Sequence, residues 1–189
     1  MSKEPAVAHE AYTGALLHDI GKLALAVNLE EQYRQALETA KQKNVPVYDV
    51  EQEVFGATHA QAGAYLLSLW GLPARVIEAV ARHHRPAREL SGEFSAVTAV
   101  HLANALEYAE TSARSGFPEF RLDLDYPKEL RIQENIEQFR EVVRHAARPV
   151  PGRTQFIRKP EAQPITESRP AADAAPHGWW SRFRDLLAA

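Results

Sequence analysis

Apolar residues recur at three- and four-residue intervals through most of the first 146 positions, and no segment alternates β-branched and polar residues cleanly over five or more. That spacing buries one stripe of a helix and gives a sheet nothing to pack, so the predicted fold class is all-α. Leu16, Leu17, Ile20, Leu23 and Ala24 predict a first helix over about 10–27. A second, over about 29–43, ends before Val45-Pro46, because the residue ahead of a proline disfavours the α region. Asp49 is expected to cap a third that carries Val50, Val54 and Phe55. Thr58 is placed to cap a helix from His59 to Trp70, and Gly71-Leu72-Pro73 turns the chain, with proline at the first position of a helix reaching about His83. Another helix covers about 94–110, and a last one opens at Tyr126-Pro127 and carries Ile132, Ile136, Phe139 and Val143 on one face. Tyr65, Leu66, Leu69 and Trp70 are expected in the core.

The texture changes beyond Arg148. Six of the 12 prolines (Pro149, Pro151, Pro160, Pro164, Pro170 and Pro176) lie there among small and polar residues, a composition that cannot bury enough apolar surface to offset its ordering entropy. The expected organisation is a helical domain over 1–146, a disordered proline-rich linker over 147–176 and a short amphipathic helix over 177–189. In that last segment Trp179, Trp180, Phe183, Leu186 and Leu187 share one face with Arg182 and Arg184 at its edges. It reads as a docking element for a groove on another protein in preference to a membrane interface, since Asp185 opposes anionic lipid, with folding back onto the domain's own exposed surface as the alternative.

A formal net charge of −3 over 189 residues argues against non-specific nucleic-acid binding. The absence of cysteine removes disulfides and thiolate zinc sites. With no apolar run of eighteen residues and no basic-then-apolar N-terminus, the expected location is the cytoplasm.

Chemistry concentrates in histidines. His18 and Asp19 stand in Leu-Leu-His-Asp-Ile-Gly-Lys-Leu; His59 and the pair His83-His84 follow. Imidazoles ligate divalent ions and a carboxylate can bridge two of them, the ingredients of a two-metal phosphohydrolase. Neighbouring helical residues point about 100° apart, so His18 and Asp19 can flank one ion only where a helix end lets both turn inward. Val97, Val100, His101 and Asn104 share one stripe, so His101 and Asn104 should face inward and need polar partners.

Gly14–Leu23 (Gly-Ala-Leu-Leu-His-Asp-Ile-Gly-Lys-Leu), Glu53–Pro73, Ile77–Pro86 and Ala99–Asn104 together resemble the C-terminal part of an HDOD domain, the HD-related output domain of bacterial signalling proteins. Catalytic HD relatives bind metal through an early His, the His-Asp doublet and a late Asp; their HD-GYP cousins add a middle His and a His-His pair. By that resemblance His18, Asp19, His59, His83 and His84 are the metal-ligand positions, while Asn104 stands where the late Asp is expected. An amide brings no negative charge and binds transition metals weakly. The early His has no counterpart: His9 lies nine residues before His18, roughly 13 Å of helical rise away. The residues after His84 also lack the Glu, Asp and Gly-Tyr-Pro of cyclic di-GMP hydrolases.

The resulting expectation is a signalling module with a degenerate metal site, non-catalytic and without a cofactor, with signalling proteins and a second copy of itself as candidate partners. The runner-up is a metal-dependent phosphohydrolase using Mn, Fe or Mg, with Asp19 and His18 at its centre. HDOD domains carry further helices ahead of the doublet, so the sequence reads as an N-terminally shortened domain whose first helices expose apolar surface.

Overall fold

The computed structural model describes residues 4–86, 94–115 and 132–146, and these are helical throughout, with no strand among them. Among the described residues there are eight α-helices: α1 (Glu4–Leu17), α2 (Ile20–Asn28), α3 (Glu30–Lys43), α4 (Val47–Phe55), α5 (His59–Leu69), α6 (Ala74–Arg82), α7 (Ala96–Ser115) and, after a short 3₁₀ turn at Gln133–Asn135, α8 (Ile136–Ala146). The linker over 147–176, the C-terminal helix over 177–189 and the proposed helix start at Tyr126 lie outside the described residues.

Helix α2 lies on α5, α5 on α6, and α1 crosses both α6 and α7. The outlying pair α3 and α4 closes over Leu25 with Tyr33, Ala36, Ala40, Val47, Val50 and Phe55. Ala64, Leu67 and Val80 join α5 to α6, with Leu17 and Ile20 against them. Each fully buried leucine, such as Leu25 or Leu67, contributes about 1.5–3 kcal/mol through removal of apolar surface from water. Phe94 stacks on Phe139 at 6.1 Å between ring centres and ties α8 to the start of α7.

Local chemistry explains several boundaries. Thr58 forms a full capping box: its hydroxyl accepts the Gln61 N–H while the Gln61 side chain accepts the Thr58 N–H. Asn44 and Gly56 end α3 and α4 in the left-handed conformation. Ser95 Oγ accepts the Thr98 N–H and so caps α7.

Four expectations need correction. The single helix over 10–27 is two helices, because Asp19 leaves helical geometry (φ −101°, ψ 9°) and the His18 ring turns back to the Ala15 carbonyl. Pro46, not Asp49, precedes α4, and Asp49 instead accepts a hydrogen bond from Arg85. Pro73 occupies the cap of α6, one residue outside the helix. Leu69 and Trp70 are 63% and 59% exposed, since the inward stripe of α5 runs through Ala60, Gly63, Ala64 and Leu67. Tyr12 and Leu16 of α1 and Leu23 and Val27 of α2 are also largely exposed. No helix among the described residues is long and apolar enough to cross a membrane.

Candidate metal centre

The break between α1 and α2 builds the site. It turns Asp19 toward the N-terminus of α5 and the C-terminus of α6, where His59 and the His83-His84 pair reside. Gly21 makes the approach possible: a Cβ there would overlap the His59 carbonyl and lie 2.8 Å from the Gly63 nitrogen. Gly63 answers from α5, where a Cβ would meet the Gly21 nitrogen at 3.1 Å. Two helix backbones therefore touch with no side chain between them.

Asp19, His59, His83 and His84 each offer a ligand atom, and these atoms lie within 4.8 Å of one another. Tetrahedral ligands about 2.0–2.2 Å from a shared ion sit about 3.3–3.6 Å apart, so the widest pair here would draw in by about 1 Å around an ion. Asp19 Oδ1 is 3.3 Å from His59 Nε2 and 3.8 Å from His83 Nε2. His84 Nε2 is 2.8 Å from His59 Nε2.

The opposite ring nitrogens of His59 and His83 are committed elsewhere. His83 Nδ1 donates to the Val80 carbonyl at 2.7 Å, and His59 Nδ1 donates to Glu51 Oε2 at 2.6 Å. Metal-bound histidines are held in this way, one nitrogen fixed by an acceptor and the other turned to the ion. His83 Nε2 and Asp19 Oδ1 are buried with no hydrogen-bond partner. Orphaned buried polar atoms are rare in folded proteins, and here they face the same point. The three imidazoles and one carboxylate fit a borderline divalent ion such as Zn, Mn or Fe.

Charge reinforces the geometry. Burial and the neighbouring His59 push the His83 pKa down to about 3, so its ring stays neutral at physiological pH. Burial and the adjacent His83 lower His84 as well. Burial alone would raise the Asp19 pKa, but the facing His59 and the Lys22 ammonium hold it well below the usual carboxylate range. For His59 burial lowers the pKa, yet Asp19 and Glu51 on either side outweigh it and raise the value.

His18 does not join the four. Its Nε2 lies 3.5 Å from the other oxygen of Asp19, Oδ2, and its ring packs edge-on against His83 at 5.1 Å. Lys22 Nζ holds that same oxygen at 3.0 Å. Asn104 lines the wall of a cleft of about 380 Å³ that opens beside the cluster, with His18, Asp19, Lys22, Glu107 and Tyr108. His101 is buried and its Nδ1 donates to the His83 carbonyl, bracing the end of α6 from α7. Exposed His9 bonds within its own helix turn, to the Pro5 carbonyl.

Sequence reasoning missed Glu51, Lys22 and Tyr48. Tyr48 stacks on His84 at 4.3 Å and carries the Arg85 guanidinium over its ring. Lys22 stands in the quoted motif, three residues after Asp19, which is one helical turn; that spacing was a readable signal.

Residues 1–86 match the family model of the HDOD domain. This stretch contains α1 to α6 and the whole four-residue cluster, while α7 with His101 and Asn104 lies beyond it. An uncharacterized protein of Treponema pallidum (strain Nichols) is 27% identical over 81 residues, which are 43% of this chain and 16% of that protein. The chain thus matches about one sixth of that relative's length. No solved structure matches the chain.

Proposed function

We propose that this chain is a regulatory HD-related module that acts through contacts with signalling proteins, organised around a centre for one divalent ion. The observation that carries this reading is the division of labour in Asp19. Its Oδ1 faces His59 and His83, whereas its Oδ2 is held by Lys22 at 3.0 Å. A carboxylate that bridges two ions must present an oxygen to each, and the second oxygen already has a cation. Two unit charges about 4 Å apart repel by about 4 kcal/mol at the effective dielectric of a protein surface, and a divalent ion doubles that. Asn104, in place of the expected Asp, removes a further negative charge from the cleft wall.

Asp19, His59, His83 and His84 would hold the ion, which when bound supplies a local positive charge joining the ends of α2, α5 and α6. The exposed Tyr12, Leu16, Leu23 and Val27 supply apolar surface for a partner on α1 and α2, the two helices that meet at Asp19. Ion occupancy and partner contact would then act on the same helix junction.

A second reading, a metal-dependent phosphohydrolase, draws on the cleft that opens over Asp19, His18 and Lys22. Elemental analysis of protein purified without chelator, with phosphodiesterase and nucleotidase assays in Mn²⁺ and Fe²⁺, separates the two. At most one ion per chain and no turnover are expected. Two ions per chain, with turnover lost in Asp19→Ala, would establish the hydrolase instead.

A further inference from the structure

Glu51 is a carboxylate in a place where one is expensive. It sits on α4, fully buried, among residues such as Val47, Val50 and Phe55 that make an apolar core. Among the described residues no lysine or arginine forms an ion pair with it. One of its oxygens, Oε2, accepts two hydrogen bonds from a single residue: the main-chain N–H of His59 at 2.7 Å and the ring Nδ1–H of His59 at 2.6 Å. The other, Oε1, is buried with no partner. A buried charge of this kind does little for stability, since an apolar side chain of similar volume usually serves as well or better. What the carboxylate does give is orientation. Two bonds to one residue fix both the backbone at the start of α5 and the rotation of its ring, which turns His59 Nε2 toward Asp19 and His84.

We propose that Glu51 is a positioning residue, which grips His59 at Nδ1 and at its main-chain N–H so that Nε2 is presented to the Asp19, His83 and His84 cluster as a ligand for a divalent ion. The inference rests on the single-ion reading above, and it assigns a role to a residue outside the histidine and aspartate motifs. The acceptor shell of a metal-bound imidazole commonly changes metal affinity by about 10–100-fold when removed. Glu51→Leu removes both acceptor bonds while filling the volume. Glu51→Gln keeps a carbonyl oxygen that can accept the same two hydrogens.

The test is a Co²⁺ titration of the full chain, followed by the visible absorption of the bound ion, for the native protein and both variants, with thermal midpoints recorded in EDTA. Glu51→Leu should bind Co²⁺ about 10–100-fold more weakly, and Glu51→Gln should recover most of that loss. A general packing defect would show instead as lowered midpoints in EDTA with no rescue by glutamine. Equal Co²⁺ affinity in the native protein and Glu51→Leu overturns the assignment. Nitrogen-15 spectra of the native protein's histidines in EDTA provide a readout that needs neither ion nor variant. They should place a proton on Nδ1 of His59, and an unprotonated Nδ1 overturns the role of Glu51 even if Glu51→Leu fails to fold. If the native protein binds no Co²⁺ but the Nδ1 proton is present, the single-ion reading fails and the grip of Glu51 on His59 stands.

Discussion

The carbonyl oxygen of His59 lies where a side chain at Gly21 would have to begin. This contact brings α2 against α5 and sets the distance between Asp19 and His59. Gly21→Ala ought to help an isolated helix by about 1 kcal/mol. Here the added methyl meets backbone, which cannot rotate away, and forcing extra volume into a packed site costs about 1–3 kcal/mol or more. We expect Gly21→Ala to be destabilised by at least about 1 kcal/mol in urea denaturation and to lose divalent-ion binding, because Asp19 moves off His59. A variant as stable as the native protein would refute the contact.

How much of this was readable beforehand depends on how local the cause is. The Thr58 cap was legible because it acts within four residues, and the histidine set was legible because its residue types are scarce and its motifs ordered. The break after Leu17 was not. Leu16, Leu23 and Val27 keep near-heptad spacing straight through it, and the reason for the bend, Gly21 against His59, lies 38 residues away in the chain. In the sequence Glu51 is one of three alternating acids, Asp49, Glu51 and Glu53. Only the packing of α4 buries the middle one. Leu69 and Trp70 failed for the opposite reason: their apolar character suggested the core, but no described helix covers that end of α5.

Acid should unfold this protein through its histidines. His83 is neutral in the fold down to about 3, while the unfolded chain protonates it near its ordinary 6.5. The native state therefore binds fewer protons, and stability falls as pH drops from about 6.5 toward 3. His84, also lowered, adds to the slope. His59 is raised, so its contribution is complete below 6.5 and is lost as pH climbs through its folded value. In weak acid His59 carries its proton in both states and adds no slope, so the net uptake on unfolding is about two protons, from His83 and His84, a slope of roughly 2.7 kcal/mol per pH unit. Urea melts in EDTA between pH 7 and 4 measure it; a flat profile would show that His83 and His84 are not buried as described.

A divalent ion that binds only the folded state stabilises it by mass action, by about 2.7 kcal/mol at a free concentration one hundred times the dissociation constant. For a domain of this size that raises Tm by roughly 5–15 °C. Titration with Zn²⁺ or Mn²⁺ should produce this rise in the native protein and none in Asp19→Ala or His83→Ala. His18→Ala should keep most of it, because His18 faces the other oxygen of Asp19. Equal loss in His18→Ala would place His18 among the ligands.

Lys22 offers the sharpest discrimination between one ion and two. Its ammonium sits 3.0 Å from Asp19 Oδ2, with His18 Nε2 3.5 Å from that oxygen. Lys22→Met removes the cation and keeps the length of the side chain. Relieving a repulsion of even 1 kcal/mol, the size expected for unit charges about 4 Å apart in water, strengthens binding about fivefold. Calorimetric titration with Mn²⁺ should therefore show tighter binding in Lys22→Met, and a second, weaker equivalent should appear as Oδ2 and His18 become available. A native protein that already takes two equivalents would remove the argument for a single-ion centre. Weaker binding in Lys22→Met would mean that the ammonium orients Asp19 toward the ion more than it repels it.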